Sequence, residues 1–215
     1  MEFTLRYYGN IRNELKTKAG PEEKHNIRIQ FHPQIKELWG YEPLSLVPEY
    51  LNDKHDEEYI KNLSGPIIDP GTFDNSQKTG YIIKRNTLKD GNSYWFAPLI
   101  CKPLRLYAEL DITYLGAQDH MTPTVIRGGD IDNKLKVLFD GLRYPSDNNL
   151  IPNGLSPISE DDPIHCLLED DSLIRKITVS TDRLLDAADK DYVMILIKVK
   201  VKSTIITPGN MPLVS

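Results

Sequence analysis

The run Arg127-Gly128-Gly129-Asp130-Ile131-Asp132-Asn133-Lys134-Leu135-Lys136-Val137-Leu138-Phe139-Asp140-Gly141-Leu142 concentrates residue types that handle phosphates and hard cations. In extended backbone, Asp130 and Asp132 point to the same side. Asp132 or Asn133 can then cap a helix whose apolar stripe is Leu135, Leu138, Phe139 and Leu142, which sets carboxylates at the helix's positive end. From Asp132, Lys136 and Asp140 follow at i+4 and i+8, so acid, base and acid share one helical face opposite the stripe. Asp140 falls in the last turn, where the helix dipole disfavours a negative charge. It therefore needs a cationic partner, and Lys136 one turn earlier is the expected one.

Mg²⁺ takes oxygen ligands and keeps several waters, so two or three convergent aspartates suffice to hold it. A further ligand must come from elsewhere in the chain. The triplet Glu169-Asp170-Asp171 is the best candidate, because adjacent acids repel one another unless a cation offsets them. An ion held there would activate water and stabilise charge building on a phosphate. Lys136 would neutralise or orient the scissile group. Each feature alone reads more often as an N-cap, a solvated acidic loop or a surface lysine.

The elements that must position these residues follow from hydropathy. Leu104 to Leu115 alternates strictly, with Leu104, Leu106, Ala108, Leu110, Ile112 and Tyr114 on one face, and is predicted as the central strand. The helix over Asn133 to Leu142 is expected to pack on it. Met1 to Tyr8, Leu173 to Ser180 and Tyr192 to Val201 also alternate as strands, with a loop or helical turn over Thr181 to Asp191. Tyr81 to Arg85 and Ser93 to Ile100 flank Asp90-Gly91, a hairpin signal. Pro33 suits the first turn of a short helix over Gln34 to Trp39. Tyr41 to Gly80 reads as a long insertion with one short helix around Asp56 to Leu63. Arg143 to Pro163 reads as a loop, and the tail after Thr204 is expected to fray.

The net charge of -5 argues against a protein that coats nucleic acid by bulk charge, because nonspecific affinity comes from Lys and Arg neutralising phosphates. Local groups would have to do so, and the candidates are Arg127, Lys134, Arg143, Lys84 and Arg85. Tyr7, Tyr8, Tyr94, Trp95 and Phe96 read either as core or as stacking surfaces for unpaired bases. Apolar residues at 40% and charged ones at 27% fit a globular chain. The longest apolar stretches, such as Val193 to Ile197, fall far short of the roughly 20 residues that cross a bilayer. No basic region followed by an apolar core opens the chain, so the expected compartment is the cytoplasm. Cys101 and Cys166 stand far apart without metal or redox spacing and read as reduced structural thiols. The five histidines lack zinc spacing.

Asp130-Ile131-Asp132-Asn133, then Lys136, then Phe139-Asp140-Gly141-Leu142, and later Asp170-Asp171 before a strand, together resemble the RusA family of Holliday-junction resolvases. That family's pattern is Asp-x-Asp-Asn, a lysine four residues on, an Asp-Ala/Gly-Leu helix end, and an Asp-Asp pair leading into a strand. The resemblance covers roughly Leu104 to Val201, a little under half of the chain. It implies Asp130, Asp132 and Asp171 as catalytic metal ligands with Asp170 beside them, and Lys136 as the catalytic lysine. It also implies Mg²⁺ or Mn²⁺, branched DNA as substrate and a homodimer. The fold implied is α+β: a RusA-like two-layer domain, a mixed β-sheet with helices packed on one face, extended by long loop insertions. Residues 1–215 would form one such domain, with insertions at about 41–80 and 143–168 and a flexible tail from about 205. The chain departs from the family in having only Arg127 as a basic residue just before the acids, and in both insertions. Two other readings stay open: a RusA-like DNA-binding or assembly protein that has lost cleavage, and a nucleotidyltransferase, for which Gly128-Gly129 stand too close to the acids.

Overall fold

The computed structural model describes residues 1–11, 20–44, 84–87, 92–102, 104–117, 131–146, 150–159, 162–185, 192–206 and 210–214, with backbone alone at 84–87 and 212. In chain order the elements are β1 (Glu2–Gly9), α1 (Pro21–Leu38), β2 (Lys84–Thr87), β3 (Ser93–Ile100), β4 (Leu106–Gly116), α2 (Ile131–Leu142), β5 (Ile164–Leu168), β6 (Ile174–Arg183), β7 (Val193–Ser203) and α3 (Met211–Val214). A 3-10 turn, Asp171–Leu173, leads into β6.

The alternating segments form one mixed sheet in the order β1-β7-β4-β6. Strand β7 is antiparallel to both β1 and β4, whereas β6 runs parallel to β4. One face carries Leu5 and Tyr7, then Ile195, Ile197 and Val199, then Leu110, Ile112 and Tyr114, all buried. These side chains share one core with Ile27, Phe31 and Ile35 of α1 and Val137, Leu138 and Leu142 of α2. The chain is thus α+β, and its two long helices supply the layer over that face. Asp111 and Lys198, at neighbouring positions in register, lie exposed on the other face.

A smaller sheet, β2-β3-β5, pairs β2 antiparallel to β3 and β5 parallel to β3. The expected hairpin is present, with Lys84 opposite Phe96 and Thr87 opposite Ser93. Its Asp90-Gly91 turn lies outside the described residues. A second core of Tyr94, Phe96, Tyr144, Ile151, Ile164 and Cys166 forms on this sheet.

Several expectations are corrected. Helix α1 starts at Pro21, not Pro33, and Pro33 lies inside it. Pro21 sits at the helix start, where a missing N–H is harmless, and Glu22 and Glu23 favour the positive end. An interior proline costs about 3 kcal/mol, which burial of Ile27, Phe31 and Ile35 offsets. Because Lys24, His25 and Arg28 are buried on that inward side too, hydropathy hides the helix. The segment read as a loop before Pro163 is followed by β5, all five of whose residues are buried. A strand covered on both faces shows no alternation.

Helix α2 begins at Ile131; its closest backbone neighbours are α1 and β5, and its Val137, Leu138 and Leu142 share the main core with Leu110, Ile112 and Tyr114 of β4. Gly141 permits the approach to α1, since a Cβ there would overlap Ile27. Residues 210–214 do not fray. Asn210 is fully buried, and the two hydrogens of its Nδ2 are shared among the Leu104 carbonyl at 2.9 Å, the Ser203 hydroxyl at 3.0 Å and the Ile205 carbonyl at 2.9 Å. Leu213 is buried in the main core, and its carbonyl accepts from the Met1 amino group at 2.7 Å.

The outer edge of β1 is covered by α1 side chains. Gln34 accepts from the Arg6 N–H at 2.9 Å and donates to the Arg6 carbonyl at 2.8 Å, while Gln30 accepts from the Tyr8 N–H at 3.3 Å. The i, i+4 spacing of Gln30 and Gln34 places both amides along the strand. Most of the 41–80 insertion, including its expected helix, lies outside the described residues. Among the described residues no helix is long and apolar enough to cross a membrane.

Candidate active site

Helix α2 presents Asp132 and Lys136 to solvent, one turn apart, while Val137, Leu138 and Leu142 face the core. Asp132 makes no ion pair with another described residue. Asp140 departs from their face. Eight residues rotate about 80° beyond two whole turns, which carries Asp140 round to the α1 side. There it is buried, with Lys24 Nζ at 2.6 Å from one carboxylate oxygen and Arg143 Nη2 at 2.7 Å from the other. Arg143 Nε also donates to Asp140 at 2.9 Å. The partners of Asp140 are therefore Lys24 and Arg143 rather than Lys136.

Arg28 completes this junction. Its Nη2 donates to the Asp140 carbonyl at 2.9 Å and its Nε to the Arg143 carbonyl at 3.1 Å, satisfying acceptors that a helix end leaves open. Deep burial lowers the Arg28 pKa to about 10, so the guanidinium stays charged at neutral pH. Sequence reading missed Lys24 and Arg28. The usable signal was an acid in a last helical turn beside two cations spaced i, i+4 among apolar residues.

Two of the expected phosphate-binding cations have other roles. Lys134 is 6% exposed, its ammonium donates to the Ile11 carbonyl at 3.2 Å, and it lies 5.9 Å from the Tyr114 ring centre. Position 134 precedes Val137 and Leu138 by three and four residues, so it belongs to the inward face, with its stem packed and its charge on a carbonyl and an aromatic face. Arg143 binds Asp140 and also reaches Asp171, with Nη1 4.0 Å from Oδ1. Arg127, and the side chains of Lys84 and Arg85, lie outside the described residues.

The acidic triplet divides into separate duties. Glu169 accepts from the Lys102 N–H at 2.9 Å. Asp170 caps the 3-10 turn by accepting from the Ser172 N–H at 2.9 Å, and hydrogen bonding from Ser172 holds its carboxyl below the usual range. Backbone donors thus relieve part of the repulsion that the sequence assigned to a cation. Asp171 is exposed at the head of β6.

The structure joins Asp171 to Arg143 and so to the last turn of α2. Asp132 lies in the first turn, about 16 Å of helical rise from residue 143. Among the described residues no three His, Cys, Asp or Glu side chains are grouped to hold a metal ion. Asp130, expected beside Asp132, lies outside the described residues.

Known proteins give no second line of argument. Comparison with protein-family models, curated proteins and solved structures finds no match for this chain.

Among the described residues, Cys166 and His32 hold buried or half-buried positions in the fold. The Cys166 thiol is buried, and burial pushes its pKa up to about 12. His32 Nδ1 accepts from the His165 N–H at 2.9 Å, and burial lowers the His32 pKa. Tyr7, Tyr94 and Phe96 are core residues, whereas Tyr8 is 37% exposed, edge-on to Tyr192.

Proposed function

We propose that this chain is a divalent-metal-dependent endonuclease that cuts branched DNA of the Holliday-junction type, with a RusA-like site on α2 and the turn before β6. The observation that carries the reading is the sorting of the acids. Asp140, Glu169 and Asp170 are bound closely to cations or backbone N–H groups, while Asp132 and Asp171, the two described acids that the resemblance assigns as metal ligands, are exposed to solvent, Asp171 with only a 4.0 Å contact to Arg143. Their donors are all oxygen, which suits Mg²⁺ or Mn²⁺. This reading assigns the ion to Asp132, to Asp130 by its sequence position and to Asp171, and it requires the turn before β6 and the start of α2, which stand apart, to approach each other; held there, the ion would supply water activation and offset phosphate charge.

Lys136, exposed one turn from Asp132, faces the phosphate and neutralises a non-bridging oxygen. Asp170 is a positioning residue, because its cap fixes the turn that presents Asp171. Arg143, 4.0 Å from Asp171, would compete with such an ion for that carboxylate. Paired cuts on a four-way junction need two sites, and a second copy of the chain supplies the other.

A second reading, a RusA-like DNA-binding or assembly protein without cleavage, is favoured by the separation of Asp132 from Asp171 along α2. Incubating a synthetic four-way junction and a matched duplex with the protein, with Mg²⁺, Mn²⁺ or a chelator, separates the two. Metal-dependent nicks at the branch point, lost in Asp132→Asn, are expected. Junction binding with no nicking in either metal would overturn the nuclease reading and leave the second.

A further inference from the structure

The two borders of the main sheet are built differently. Strand β1 has the outer N–H and C=O of Arg6 and the outer N–H of Tyr8 occupied by Gln34 and Gln30. Strand β6, at the other border, has no partner on its outer side among the described residues. It runs for ten residues, contains no proline, and is exposed along most of its length. Natural sheets shorten, bend or cover such a border, because its unpaired backbone is a template for another strand. The one irregularity is a register shift against β4 between Ala108 and Glu109, opposite Ile174 and Lys176. This shift frees Arg175 to turn onto Tyr107, 4.3 Å from the ring centre. From Lys176 onward the strand is regular.

We infer that β6 is a self-association surface, pairing antiparallel with β6 of a second copy about an axis at Val179 and joining the two sheets into one. The argument is complementarity under that symmetry. A two-fold axis perpendicular to the sheet at Val179 sets residue i against residue 358 minus i. Lys176 then faces Asp182 of the second copy, and the pair occurs twice. Thr178 faces Ser180 on the same side. On the helix side Ile177 faces Thr181, and Val179 faces its own mate.

No like charges meet across residues 176–182; just beyond them the rule sets Arg175 against Arg183, and the turn of Arg175 onto the Tyr107 ring draws its guanidinium away from that meeting. In the single chain, neither Lys176 nor Asp182 makes an ion pair with another described residue, although they lie on one face of β6. Ile177 is in register with Leu110 of the core face yet is 45% exposed, because the helical layer stops short of β6. A neighbouring strand would cover it. The inference deepens the proposed function by naming the surface that unites two sites, and its test involves neither DNA nor metal.

Sedimentation of the full chain is expected to give a dimer. Lys176→Glu alone and Asp182→Lys alone are each expected to weaken it by about tenfold or more, since each sets like charges opposite one another twice. The double variant Lys176→Glu/Asp182→Lys is expected to restore it. Both residues are exposed on β6, and circular dichroism verifies that each variant is folded. Val179→Cys should be captured as a dimer by a short bis-maleimide and Lys200→Cys should not, with buried Cys101 and Cys166 silent. A wild-type monomer, a dimer indifferent to the single reversals, or a folded double variant that stays monomeric would each overturn the inference. None of these outcomes bears on nicking, which is scored separately.

Discussion

Replacing Asp140 by Asn removes the negative charge that binds Lys24 and Arg143 at 2.6 and 2.7 Å. Lys24 and Asp140 side chains are each 9% exposed, so the lysine is left with little solvent to replace its partner. Breaking a buried ion pair from one side costs 3–5 kcal/mol in general, and Arg143, at 21% exposure, can rehydrate in part. The expected loss is therefore about 3 kcal/mol. For a chain of this size that lowers Tm by about 6–12 °C. Asp132→Asn, on the exposed face of the same helix, should stay within about 0.5 kcal/mol. Urea titration of both variants provides the comparison. A double-mutant cycle identifies the partner: Lys24→Met with Asp140→Asn should fall short of the sum of the singles by about 1–3 kcal/mol, whereas Lys136→Met with Asp140→Asn should be additive. Additivity with Lys24, or coupling with Lys136, would refute the assignment. So would equal losses for Asp132→Asn and Asp140→Asn.

In the nicking assay, Asp132→Asn and Asp171→Asn should each abolish cleavage while Tm and junction binding persist; a variant that still nicks at the wild-type rate removes its residue from the site. Lys136→Ala should lower kcat more than it weakens junction affinity, and a defect confined to affinity would contradict its role. Burial lowers the pKa of His32 below 6.5 and that of His25 to about 4, so the unfolded chain binds more protons than the folded one between those values and 6.5. Their contribution to stability is complete above pH 6.5 and is lost as pH falls toward about 4. Denaturant midpoints measured across that range should decline with acid, less steeply in His25→Gln, and an unchanged slope would discount His25. Because Cys101 and Cys166 are buried and burial raises the Cys166 pKa, a thiol reagent at pH 8 should label neither until the chain unfolds. Rapid labelling of the native protein would contradict that burial.

The strands with one dry face, β1, β4 and β7, are legible in sequence because their alternation records the sheet's two environments. Helix α2 is legible for the same reason at helical spacing. Strand β5 is not, since His165 and Cys166 are as buried as Ile164 and Leu168 and leave no contrast to read. Nor is α1, where buried cations interrupt the apolar stripe. At the candidate site, the exposed pairing of Asp132 with Lys136 follows from local periodicity. The roles of Asp140, Lys134 and Arg143 depend on Lys24, Ile11 and Asp171, which lie from 28 to 123 residues away in the chain and which no local pattern specifies.

The glutamines of α1 have a consequence for stoichiometry. With one border occupied at Arg6 and Tyr8 from within the chain and the other unoccupied among the described residues, a molecule that grows by strand addition is biased toward a single neighbour. A two-fold union consumes the unoccupied border of both participants, so growth halts at two and no filament follows. Replacing Gln30 and Gln34 would remove that stop and turn a finite assembly into one able to polymerise.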